Sequence, residues 1–306
     1  MSVAVIECFC MWSDLLGFGD PFQEANWTFS DERALENIER LRDLSNCLYT
    51  SAAPLREVAL VLNDGLARIY DVQGNAEDAQ MFLWWVHSIL TNHWQVNAID
   101  RERGRPGLRS LLTFGERVAT WKGATTLHEM MQFGGPKPRL ENRTCIYSPD
   151  EFQLNLAFSK AYTIESIGSK GGLTGPALFI DETALQAVTR VLTDRPINSA
   201  TVSHAPKVSS CPDPPLGDTA VTFQIVRKTI GNVSLFEVYR AKSGVPEPEA
   251  LLALELDSSP IHINKRGIVT DVWKVRRYQP IDEPRPFYFD FNDYRFAKSN
   301  HVSDVT

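Results

Sequence analysis

The Asn63-Asp64-Gly65 stretch constrains this chain more than any other, because it forces two short apolar runs to pair antiparallel. REVALVL precedes it and LARIYDV follows, so the spacing predicts strands over 57–63 and 66–70 about a two-residue Asp64-Gly65 turn. Residues 3–12, VAVIECFCMW, read as a fully buried strand, with Asp14 just beyond its end. Leu35, Ile38, Leu41, Leu44 and Leu48 repeat at helical spacing between Ser30 and Tyr49, with Ser30 as N-cap and Asp31 and Glu32 in the first turn. A second helix, strongly apolar, is expected from Asn75 to Trp94. Arg101–Gly107 then reads as a basic loop, LRSLLTFGERVATW as a strand, Asp150–Gly168 as a helix and PALFID as another strand. The resulting β-α-β-β-α-β order is that of an α+β, ferredoxin-like (split βαβ) plan: a mainly antiparallel sheet with helices on one face. That plan sets the first strand beside the hairpin and brings Asp14 and Asp64 to neighbouring strand ends.

Three segments differ in texture. Residues 1–198 carry the alternating strands and helices, and 199–218 form a Ser/Pro-rich linker or long loop. Residues 219–306 hold strand-like TAVTFQIV, SLFEVYR, GIVTDVWKVRRY and PFYFDF, a β-rich segment that either completes the sheet or makes a small addition. The net charge of −7 argues against a nucleic-acid partner or an acidic membrane surface. No run approaches the ~18–20 apolar residues that span a bilayer. Glu7 interrupts the apolar N-terminus and no basic stretch precedes it, so a secretory signal is not expected and a cytoplasmic setting is. The five cysteines, Cys8, Cys10, Cys47, Cys145 and Cys211, show no CxxC spacing and read as reduced core residues.

Chemistry concentrates around the two aspartates. Asp14 precedes Leu15-Leu16-Gly17-Phe18-Gly19, a turn whose glycines let backbone approach a ligand and aim amide N–H groups at phosphate oxygens. Read alone, a GxG is also an ordinary strand-to-helix turn, and Asn-Asp-Gly is ordinary hairpin chemistry. Two carboxylates brought to adjacent strand ends, however, are a standard way to hold a divalent metal against a triphosphate. His87 and His93, six apart on a helix, do not share a face for ligation, and Trp84 and Trp85 read as core or dimer-interface bulk. Asp290 and Asp293 in FDFNDY read as solvated acids of an alternating strand.

SDLLGFG, LVLNDGLA, GLRSLLTFGE, NLAFSKAYTIES and TGPALFIDETAL, in that order, resemble the class III nucleotide cyclase catalytic domain over residues 3–195. Within that class the chain looks most like the bacterial Pycsar-type cyclases of pyrimidine-nucleotide antiphage signalling. The resemblance implies that Asp14 and Asp64, with the Leu15 carbonyl, hold two Mg2+ or Mn2+ ions against a nucleoside triphosphate. It further implies a head-to-tail homodimer with composite sites, and a separate cyclic-nucleotide-sensing effector downstream. The family's base-selecting slots hold Leu60 and Ser148 here, neither the adenine nor the guanine pair, which is compatible with the pyrimidine triphosphate that the resemblance implies, UTP over CTP.

The transition-state helix departs furthest from the family pattern. Its Asn slot falls on Asn155 and its Arg slot on Ser159, with Tyr162 and Ser166 completing one polar stripe. Leu154, Ala157, Phe158, Ala161 and Ile164 form the opposite, apolar face. Arg109, Lys160 or a basic residue of Lys274, Arg276 and Arg277 would have to replace the missing arginine. Two other readings follow: a catalytically silent nucleotide-binding or dimerisation domain, which Ser159 favours, and a polymerase-type palm, which the acidic composition disfavours.

Overall fold

The computed structural model describes residues 4–29, 32–51, 57–72, 78–118, 150–193, 221–242, 244–280 and 288–294. Ser30, Asp31, Ser148, Cys145, Cys211 and the 199–218 segment lie outside these residues.

Strand β1 (Val5–Leu15) is central, flanked by β3 (Gly65–Asp71) and β4 (Leu108–Val118), both antiparallel to it. The sheet begins at β2 (Glu57–Leu62), runs through β3, β1 and β4, and reaches β5 (Leu178–Asp181), which lies parallel to β4. Beyond β5 the order continues with β10 (Ile268–Pro280), β8 (Glu249–Asp257), β7 (Val233–Lys242) and β6 (Val221–Ile230). Two short strands, β9 (Ile261–Lys265) and β11 (Phe289–Asp290), also pair with β10. The fold is α+β with a mostly antiparallel sheet, as expected. The C-terminal strands continue that sheet, since Val272, Trp273 and Lys274 pair with Asp181, Ile180 and Phe179.

Helices cover both faces, not the one anticipated. Phe9, Met11 and Leu112 pack against α3 (Asp78–Glu102) and α5 (Glu182–Thr193) in a core that also takes in Phe236, Leu254 and Tyr278 from the C-terminal strands. The alternate residues Cys8, Cys10, Trp12 and Leu111 face α4 (Leu156–Glu165), against Ala157, Ala161 and Ile164. This is the period-two alternation of a strand buried on both sides. A third cluster, Leu15, Phe18, Leu44, Cys47 and Leu108, fastens α2 (Glu32–Ser51) to the strand ends.

Three expected boundaries move for identifiable reasons. The hairpin turn is Asn63-Asp64, one residue earlier, with Gly65 already paired to Leu62. Asn63 takes the left-handed conformation (φ +51), and Gly65 is needed for space: a Cβ there would meet Trp12 Cη2 at 2.2 Å. Helix α3 runs past Trp94 to Glu102, because the polar residues that break its pattern are satisfied: Asn97 bonds both backbone groups of Leu108, and Asp100 bonds Arg40. The helix expected over 150–168 is instead a 3-10 turn at Asp150–Phe152, a left-handed Leu154 (φ +47), α4, and a second 3-10 turn at Gly168–Gly171. Among the described helices none is long and apolar enough to cross a membrane.

Candidate metal and nucleotide site

Asp14 is the tenth residue of β1 and stands opposite Gly65 on one side and Arg109 on the other. Directly opposed Cα atoms in an antiparallel pair are about 4.5–5.5 Å apart, so Asp64, next to Gly65, lies one residue from contact. The Leu15 amide donates to the Asp64 carbonyl at 2.9 Å, which ties the strand end to the hairpin turn. The topology therefore converges the two acids, as the β-α-β-β order predicts.

Like charge and burial meet at Asp14. The Asp14 carboxyl is pushed up to about 6, first by burial and then by the charges of Glu165 and Asp64, with Arg109 and Arg40 pulling the other way. A divalent cation between Asp14 and Asp64 would remove that repulsion, so the residues present fit such an ion. They do not form a full cage: among the described residues no group of three or more His, Cys, Asp or Glu is gathered for a metal. The remaining positions on an ion would fall to backbone, water and phosphate oxygens, as hard oxygen-ligated cations allow.

Arg109 sits beneath this pair and is not an edge-strand charge. It is buried, donates from Nε to Glu165 Oε1 at 2.9 Å and from Nη1 to the Leu173 carbonyl at 3.1 Å. Glu165 went unnoticed in the sequence, although its position was informative. With Ala157, Ala161 and Ile164 it falls on the buried side of α4, where an acid requires a cationic partner.

The turn after Asp14 is built differently from the expected row of outward amides. Leu16 N donates to the Gly107 carbonyl at 2.9 Å and Phe18 N to the Leu15 carbonyl at 3.3 Å. Only the amides of Gly17 and Gly19 are left without a protein acceptor among the described residues. The Leu15 carbonyl, expected as a metal ligand, already accepts the Phe18 amide, and Leu15's side chain is core. Phe18 likewise points into the α2 cluster. Gly17 has φ +65 and leaves 3.0 Å between a hypothetical Cβ and Pro106, so any side chain there would be strained and crowded. Arg40, a second residue the sequence reading passed over, donates to the Leu16 carbonyl at 3.1 Å, the Gly107 carbonyl at 3.2 Å and Asp100 at 2.6 Å. It occupies the inward register of α2 with Asn37, Leu44 and Cys47, a buried arginine in an apolar stripe.

Asn155 is a correction. It is 1% exposed and N-caps α4: its Oδ1 accepts from Phe158 N at 2.8 Å and its Nδ2 donates to the Glu151 carbonyl at 2.7 Å. Both amide atoms are committed, so it does not face a ligand. Ser159 is exposed but bonds back to the Asn155 carbonyl at 2.9 Å. Tyr162 is half exposed, its ring edge-on to Trp12 at 5.5 Å between centroids. The expected polar stripe is interrupted by Leu154 and Leu156, both largely exposed. Leu60 pairs with Ala67 and packs beside Trp12, on the face that Asp14 shares.

The basic residues expected to replace the missing arginine are mostly engaged. Lys160 bonds the fully buried Asp181 at 2.5 Å, Arg276 bonds Asp257 at 2.5 Å, and Arg277 reaches Glu255 and Asp290. Lys274 alone of this set has no acidic partner among the described residues.

No protein-family model matches the chain, and no curated protein does. Several solved structures show a weak likeness to it. The adenylyl cyclase CyaB from P. aeruginosa is 12% identical with a TM-score of 0.38, covering 94% of this chain and 100% of that one. The guanylyl cyclase Cya2 is 15% identical with a TM-score of 0.38, at the same coverage. A bacterial light-regulated adenylyl cyclase is 9% identical with a TM-score of 0.34, covering 78% and 91%. These likenesses are too slight to bear weight, and the functional reading rests on the chain's own residues.

Proposed function

We propose that the chain is a nucleotidyl cyclase that converts a nucleoside triphosphate to its 3′,5′-cyclic monophosphate and pyrophosphate. The supporting observation is the convergence of Asp14 and Asp64 at adjacent strand ends, with Asp14 held above its ordinary pKa first by burial and then by the neighbouring Glu165 and Asp64. Two Mg2+ or Mn2+ ions bound there would offset charge developing at the α-phosphate and favour ionisation of the ribose 3′-hydroxyl. Asp14 and Asp64 would hold the cations. Arg109 fixes Glu165 by an ion pair and partly offsets its charge on Asp14. Gly17 and Gly19, in the turn after Asp14, offer two amides without a protein acceptor among the described residues. Arg40 locks the turn by gripping both Leu16 and Gly107.

The substrate in this reading is a pyrimidine triphosphate, UTP before CTP. Support comes from Leu60, an apolar residue where a purine-selecting cation would stand. A homodimer completes the site, and the exposed Leu156 and Tyr162 on α4, with Leu154 just before it, supply an apolar surface for it. The product would serve a separate effector in antiphage signalling, in a cytoplasmic setting.

A second reading has its own support. Asn155 is spent on capping and Ser159 stands at the arginine slot, as in a domain that binds nucleotide without turning it over. Incubating the purified protein with each of the four ribonucleoside triphosphates and Mn2+, then resolving products by mass, separates the two. One cyclic pyrimidine monophosphate supports turnover. Binding without consumption supports the silent domain.

A further inference from the structure

A cavity of about 520 Å³ opens at the end of the sheet where β4 and β5 begin, between the 104–107 and 174–176 loops and the C-terminal Phe291–Tyr294 stretch. Neither Asp14, Asp64 nor Arg109 lines it. Three charged residues do, Arg101, Arg105 and Lys274, and all three are basic, on a protein whose net charge is −7. Arg101 is neutralised by Asp293 at 2.5 Å, and Arg105 by Asp43 at 3.2 Å with Asp100 at 3.7 Å. Lys274 is half-buried and has no acid within ion-pair distance among the described residues. Its position is fixed by the sheet, where it pairs with Phe179 of β5. An ammonium with no counter-charge at the wall of a cavity is a ready charge-assisted contact for an anionic occupant. The floor is apolar and rigid: Phe291 and Tyr294 are buried, and Tyr294 bonds the Pro176 carbonyl at 3.2 Å. The volume suits a small molecule, not a polymer.

We infer that this cavity is a binding site for a small phosphate-bearing anion, with Lys274 as its principal charge contact and the guanidinium N–H groups of Arg101 and Arg105 as further hydrogen-bond donors on its wall. The inference does not depend on the Asp14–Asp64 reading. Its occupant is either an inorganic phosphate species or the phosphate of a nucleotide, the chemistry common to both being a compact, multiply charged oxyanion.

Calorimetric titration in EDTA, which silences any divalent-metal site, tests it with two probes, inorganic pyrophosphate and uridine monophosphate. At least one probe is expected to bind the wild-type chain. Lys274→Ala should weaken that binding about tenfold or more, as for one lost charge-assisted contact. Lys274→Arg should retain it, and Asp14→Asn should leave it unchanged. Tighter binding of pyrophosphate identifies an inorganic ligand, and tighter binding of the monophosphate a nucleotide. Binding of neither probe, equal binding by a folded Lys274→Ala protein, or a loss in Asp14→Asn matching that in Lys274→Ala would each overturn the assignment. A thermal melt of each variant confirms that it is folded.

Discussion

At the residue scale the decisive group is Asp14, because its charge is held against its environment. Its folded-state pKa of about 6 lies above the 3.8 of a free aspartate, so the folded chain binds that proton more tightly than the unfolded one. Stability from this group is therefore full below about pH 4 and is lost as pH rises through about 6. Asp14→Asn should stabilise the metal-free protein by about 1–2 kcal/mol at pH 7.5, the full shift being trimmed because the carboxyl is partly solvated. At pH 4 the two proteins should melt together. Urea denaturation in EDTA at both pH values measures this, and an equal gain at pH 4 would show that charge is not the cause. Arg40 has the opposite sign. Arg40→Met leaves Asp100 with only the more distant Arg105, frees the Leu16 carbonyl, and leaves the Gly107 carbonyl with the Leu16 amide alone. It should cost about 3 kcal/mol, read as a lower urea midpoint with an unchanged slope.

Elements explain which residues could be recognised from sequence and which could not. The hairpin, the central strand and their adjacency follow from alternation and turn chemistry, so the meeting of Asp14 with Asp64 was legible. Asn155 was not, because a helix start is decided by local capping that competes with any ligand role. Leu154's left-handed backbone and the 3-10 turn before it are also invisible in a hydrophobic pattern. Strands β8 and β9 escaped for another reason. EALLALELD is rich in Ala, Leu and Glu, which favour helix, and IHINK is only five residues long, so pairing to β7 and β10 is what makes them strands. Asn155→Ala should cost about 1 kcal/mol of stability, the usual value of an N-cap. Mn2+ affinity should be unchanged, whereas a large fall in it would return Asn155 to the site. Gly65→Ala should destabilise by about 2–3 kcal/mol, since Trp12 cannot yield without disturbing Phe158 and Tyr162. A guanidinium titration with tryptophan fluorescence reads that loss.

Across the whole molecule, the sheet is continuous from β2 to β6, and one core spans its halves. Phe223, Phe236, Leu254 and Tyr278 pack in the same cluster as Phe9, Trp85 and Leu185. The 1–198 and 219–306 division read from texture thus marks a change of composition across strands that share a sheet, with β10 bonded to β5. A single cooperative unfolding transition is expected, coincident by far-UV circular dichroism and tryptophan fluorescence. Two separated transitions would show the halves to be independent. The convergence of Asp14 and Asp64 carries everything said of function. A Mn2+ titration followed by electron paramagnetic resonance interrogates it directly, with the wild type compared with Asp14→Asn and Asp64→Asn. The account predicts bound Mn2+ in the wild type, falling at least about tenfold in affinity in either variant. Equal Mn2+ binding by all three proteins would contradict it.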